Sequence, residues 1–153
     1  MKPETMPVSE LRVLPLLFRV LGAGIDLILV GLVNIVLFSV AGVDFANPSR
    51  EALGLAIIGQ AIYFTGFTIG ISTTPGKMAV GAYIGDKQGG RIRPDTAILR
   101  YLVFMAGGPP LLFSGWLISL ALILFDPQRR ALQDRIAGTR VLAGRPPPER
   151  AWE

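Results

Sequence analysis

The chain predicts an all-α integral membrane protein, a small helical bundle with two clear transmembrane helices. Three observations predict it. Two apolar stretches, 16–40 and 52–73, are each long enough to cross a hydrocarbon core of roughly 30 Å as a helix rising about 1.5 Å per residue. Hydrophobic residues make up 51% of the 153 residues and charged residues 17%, and the mean hydropathy is +0.52. That balance fits a polytopic membrane protein better than a soluble domain with a polar shell. The cations are also unevenly spread. Of fifteen Lys and Arg, five lie between Lys77 and Arg100, six between Arg129 and Arg150, and only Arg50 follows the first stretch before the second. Under the positive-inside rule this implies a multi-pass protein of the cell inner (plasma) membrane with its N-terminus in the cytoplasm.

The residue inventory excludes much chemistry. There is no Cys and no His, so disulfides, thiolate nucleophiles, histidine bases and the usual zinc sites are all ruled out. No GxGxxG or complete phosphate-loop spacing is present, so no cofactor is expected. Nucleic acid is not expected as a partner either, because the cations flank apolar spans where topology already explains them.

The first stretch, LLFRVLGAGIDLILVGLVNIVLFSV, carries Arg19 and Asp26 seven residues apart. A helix places both on one face, about two turns apart. Each charge costs at least ~2.5 kcal/mol at a helix centre in lipid, so this face should turn toward protein, water or counter-charge. Arg19 has the alternative of reaching the headgroups along its own stem. Asp26 is too short for that. It must be paired, protonated or facing water. An apolar core of this length containing an Asp argues for a retained helix rather than a cleaved signal.

The second stretch, 52–73, sets Gln60, Thr68 and Ser72 on or near one face. Its Gly66-Phe-Thr-Ile-Gly70 spacing predicts close packing against the Gly22–Gly24 patch of the first helix, with a homodimer seam as the alternative. Thr74-Pro75-Gly76-Lys77 should end the span, since proline stops a helix and glycine permits the turn. Strand-like Ala79–Ile84 followed by Asp86-Lys-Gln-Gly-Gly90 reads as a short β-hairpin or tight loop at the cytoplasmic surface. A third apolar segment, 95–125, is broken at Gly107-Gly108-Pro109-Pro110 and is either a kinked span or a helical hairpin. The Arg-rich segment with Leu132, Ile136 and Ala137 suits the anionic inner leaflet. The organisation is then an N-terminal cytoplasmic segment 1–15, a transmembrane domain 16–142 and a mobile tail 143–153.

Taken in order, these motifs resemble the RDD family of membrane proteins, named for one Arg and two Asp. Arg19 matches the family's Arg, Asp26 the Asp in the middle of the first helix, and Asp134 the remaining Asp, within Leu132–Thr139. Thr74, Pro75, Gly76 and Lys77 match its Ser/Thr-Pro-Gly-Lys, Gly81–Asp86 with Gly89 its strand and turn, and Arg100 the Arg opening its next helix. The resemblance covers about Leu16 to Leu142. It departs at Gln133, where many members carry His, so this chain has no titrating imidazole there. The resemblance implies membrane location and architecture but no reaction.

Two functional readings follow. In the first, Arg19, Asp26 and Asp134 form a structural polar network in a scaffold or assembly protein that is not an enzyme, and the basic tail holds anionic lipid or a membrane-protein partner. In the second, a homo-oligomer moves ions or exchanges a cation for a proton, Asp26 is the protonatable site, and Gln60 and Thr68 supply oxygen ligands.

Overall fold

The computed structural model describes residues 12–107 and 114–147. Its elements in order are α1 (Leu16–Val40), α2 (Arg50–Ile71), α3 (Pro75–Ala79), β1 (Ala82–Gly85), α4 (Pro94–Ala106), α5 (Ser114–Phe125), α6 (Leu132–Ala137) and β2 (Arg140–Ala143). Most of the expected break at Gly107–Pro110 lies outside the described residues, as do parts of the two terminal segments.

α1 and α2 are long and apolar enough to cross a membrane, with peak hydropathies of 2.4 and 1.6. Their apolar side chains face outward: Leu27 is 60% and Ile62 67% exposed. On α1 a single stripe of Gly22, Asp26 and Val30 is buried, spaced by four residues as one helix face requires. α2 begins where the Ser49 hydroxyl accepts the Ala52 N–H at 3.2 Å, filling an otherwise unsatisfied helix end.

The polar elements gather into one lobe. The N-terminal end of α1, the C-terminal end of α2, both strands, α3 and α6 all meet there. β1 and β2 pair antiparallel from Ala82↔Ala143 to Gly85↔Arg140, and Val13 adds a bridge to Leu142. Leu14, Ala82 and Val141 form one packed cluster of the lobe; Ile84, Ile92 and Ala97 form a second.

Two features differ from the sequence reading. β1 takes its partner from β2, far along the chain, and the turn at 86–90 closes locally with only the Gly85–Arg91 bridge. A four-residue strand has little hairpin strength alone, so the edge that buries more residues wins. Pro75 does not end α2. The helix stops at Ser72, with φ at 54°, and Pro75 opens α3, where its missing N–H costs nothing. α6 and β2 are built into the lobe: Asp134 is buried while Arg135 and Ile136 are exposed.

The small-residue packing also differs. Nothing lies within 4 Å of a Cβ placed on Gly66 or Gly70, whereas one on Gly22 would stand 3.1 Å from the Gly76 carbonyl oxygen. The close approach is therefore between α1 and α3. A Cβ on Gly76 would overlap the Gly22 carbonyl and lie 2.7 Å from the Asp26 carboxyl carbon. Gly76→Ala should lower the melting midpoint in detergent and the folded yield, an overpacking cost of ~1–3 kcal/mol or more. Gly66→Ala should leave both unchanged. Equal behaviour of the two variants would remove the α1–α3 contact from the account.

Candidate functional site

Asp26 stands ten residues into α1 and is only 1% exposed. Its carboxylate is met from two directions. From α2, the Tyr63 hydroxyl donates to Oδ1 at 2.8 Å. From the 74–77 turn, the Gly76 N–H donates to Oδ1 at 2.8 Å, the Thr74 hydroxyl to Oδ2 at 2.5 Å, and the Lys77 ammonium stands 3.5 Å from Oδ2. Lys77 also donates to Thr74 Oγ1 at 3.2 Å, which orients that hydroxyl toward Asp26. Removal from water is the largest influence on Lys77 and lowers its pKa; the Asp26 carboxylate opposes this.

Asp134 is held in a second cluster. Arg100 Nη1, from α4, donates to Oδ1 and also to Thr139 Oγ1. The Ala131 N–H donates to Oδ2 at 3.2 Å, closing the first turn of α6 onto its own carboxylate. The Thr139 hydroxyl lies 3.5 Å from Oδ1. Gly138, at φ +66°, ends α6 in the left-handed region, which suits a residue without a Cβ. That turn returns Thr139 toward Asp134.

Arg19 joins the lobe together. Nε donates to the Leu14 carbonyl at 2.9 Å, Nη1 to Arg129 at 2.6 Å and Nη2 to Val141 at 3.0 Å, and Nη1 stands 3.8 Å from Asp134. Its side chain is 8% exposed, so it turns inward onto these partners. Arg19 and Asp26 share a face of α1 but belong to different clusters. Gln133 accepts from the Ser119 hydroxyl at 3.2 Å, which links α6 to α5.

The structure thus brings together Arg19, Arg100 and Asp134, and separately Asp26 with Thr74, Gly76 and Lys77. Pro75 contributes by starting α3. Thr68 is buried beside both clusters on a cavity of about 310 Å³ that Asp26, Lys77, Arg100 and Asp134 also line. Gln60 does not border that cavity. Sequence reasoning missed Tyr63 and Thr139 as partners. A tyrosine in an apolar helix, whose hydroxyl needs an acceptor, was the available signal for the first. Nothing in the spacing signals the second.

Losing one member of a buried pair leaves the other charge unmatched. Asp134→Ala should therefore cost about 3–5 kcal/mol, read from unfolding midpoints in detergent. Asp95→Ala, which removes an exposed pair with Arg93, should cost at most ~1 kcal/mol; a similar loss for both would contradict the assignment. Asp126 tests pH dependence. Burial pushes its carboxyl up, but the hydrogen bonds from the Arg130 guanidinium and backbone outweigh this and hold it below its ordinary value of 3.8. A depressed folded-state pKa stabilises above the ordinary value and is lost as pH falls through the folded one. Asp126→Asn should accordingly be less stable than wild type at neutral pH, with the gap closing below 3.8; a gap that persists unchanged at lower pH would refute this.

Comparison with curated proteins and with solved structures finds no match. The sequence model of the RDD family matches residues 15–138. That span contains the helix carrying Arg19 and Asp26, the 74–77 turn and Asp134, so the two clusters are built almost wholly from the matched region. On that match, covering most of its length, the chain belongs to the RDD family of membrane proteins.

Proposed function

We propose that this protein is a non-enzymatic membrane scaffold or assembly protein whose Arg and Asp clusters fasten the spanning helices to the polar lobe. One observation carries the reading. A carboxylate offers about four lone-pair sites, and Asp26 has Tyr63, Thr74, Gly76 and Lys77 on them. A carboxylate so occupied has no open position for a transported cation. Asp134 is similarly enclosed by Arg100, Ala131, Thr139 and Arg19.

In this reading the protein is multi-pass in the cell inner membrane, with its N-terminus and lobe in the cytoplasm. The cations of 77–100 and 129–145 then lie on the side where the positive-inside rule wants them. At 13 residues, α4 is too short to cross alone at ~1.5 Å per residue, and α5 has 12 residues among those described. The backbones of Gly107 and Gly115 are in contact, which suits a pair that leaves the lobe and returns to it. The exposed Arg135 and Ile136 of α6 would face anionic lipid or a second membrane protein.

The rival reading, cation/proton exchange by a homo-oligomer, draws on the cavity beside Asp26. Reconstitution separates the two. Wild type and Asp26→Asn, at matched folded yield, are placed in liposomes and lumenal pH is followed as Na⁺ or K⁺ is added outside. The expected result is no cation-dependent pH change in either, with Asp26→Asn less thermostable by about 1.5–3 kcal/mol. Flux in wild type that vanishes in the variant would replace the scaffold reading with the transport one.

A further inference from the structure

We infer that the central cavity is a binding chamber for the headgroup of an anionic lipid, entered sideways between α1 and α5. This goes beyond the scaffold reading and does not depend on it.

The chamber's charge is the first reason. Arg19, Lys77 and Arg100 border it against the carboxylates of Asp26 and Asp134, three cations to two anions. The two carboxylates are already enclosed by protein donors. Arg100 is not equally used. Its side chain is 9% exposed, yet among the described residues only Nη1 donates a hydrogen bond, to Asp134 and Thr139. Nε and Nη2 carry no hydrogen bond among the described residues, and Arg100 borders the chamber. A buried guanidinium with unspent donors and a surplus positive charge recognises a phosphate or similar oxyanion. At about 310 Å³ the space far exceeds the roughly 10–15 Å³ that one water needs.

The shape of the entrance is the second reason. An adjoining cleft of about 200 Å³ shares Arg19, Phe104, Ile123 and Gln133 with the chamber and continues to Leu16, Val20 and Leu120. Val20 is 55% and Leu120 44% exposed. They stand on α1 and α5, whose outer surfaces are otherwise apolar. The charged side chains of Lys77, Arg100, Asp26 and Asp134 thus lie at the chamber end, and Leu16, Val20 and Leu120 at the cleft end. That is complementary to an anionic head with an acyl tail trailing into the bilayer, and a free hydrophilic anion would gain nothing from the apolar passage.

The test uses the full chain in a neutral detergent. Phosphatidylglycerol, phosphatidylcholine with the same acyl chains, and inorganic phosphate are titrated separately, and the thermal unfolding midpoint is followed. Saturable stabilisation by phosphatidylglycerol alone is expected. Ile123→Trp fills the region common to chamber and cleft without touching a charge, and should weaken that response about ten-fold or more. Ile28→Trp, on the outer face of α1 where Ile28 is 64% exposed, should leave it intact. If Ile123→Trp does not fold, Leu120→Trp at the outer lip replaces it with the same expectation. Equal stabilisation by the two lipids, an unchanged response in the chamber or lip variant, or inorganic phosphate matching phosphatidylglycerol would each overturn the proposal.

Discussion

A carboxylate buried in a membrane protein must be given hydrogen-bond donors, and the way Asp26 receives them shapes most of this molecule. Three of its four donors are side chains, Tyr63, Thr74 and Lys77. One is a backbone N–H, that of Gly76, and it reaches Asp26 only because α3 presses directly onto α1. That contact requires glycine at position 76 and leaves little room for a Cβ at position 22. It also draws the turn after α2 down along α1, so the lobe begins against the helix rather than beyond its end. β1 follows from this placement, since the Ile84 N–H donates to the Ser72 carbonyl at 2.7 Å immediately past the α2 terminus.

Arg19 and Asp134 do the corresponding work at the edge of the lobe. Arg19 spends its three nitrogens on carbonyls from three separate segments, before α1, after α5 and within β2. Guanidinium geometry suits this, because its donors diverge in a plane. A lysine in the same place would satisfy fewer of them in fixed directions. Asp134 adds Arg100 and so brings α4 onto α6. Arg19, Asp26 and Asp134 thus occupy different positions in one framework: Asp26 joins α1 and α2 to α3, and Arg19 with Asp134 joins the segment before α1 and β2 to α4.

Much of this was legible in the sequence, and the limits have physical causes. Hydropathy located both long apolar helices, because lipid imposes a minimum length and admits few charges. Helical periodicity put Arg19 and Asp26 on one face. It could not say that they serve different clusters, because a shared face does not determine depth of burial or partner. Gly66-xxx-Gly70 pointed to close packing and the structure leaves that face open; small residues permit close approach without requiring it. The pairing of β1 with β2 was out of reach, since a four-residue strand carries no mark of its distant partner. Thr139 stayed hidden for a related reason: its role depends on the left-handed turn at Gly138.

The order in which partners emerge from the ribosome has a consequence for biogenesis. Tyr63 follows Asp26 by 37 residues and Gly76 follows it by 50, but Val141 follows Arg19 by 122. At the ordinary pace of about 5–20 residues per second, Arg19 waits about 6–24 s after its own synthesis before β2 exists to receive it. Through that interval the first helix holds a cation of whose three carbonyl partners only Leu14 has been made, so water or lipid phosphate must satisfy the rest meanwhile. β2 therefore does more than complete a small sheet: its arrival marks the moment at which that charge can be solvated wholly by the chain itself.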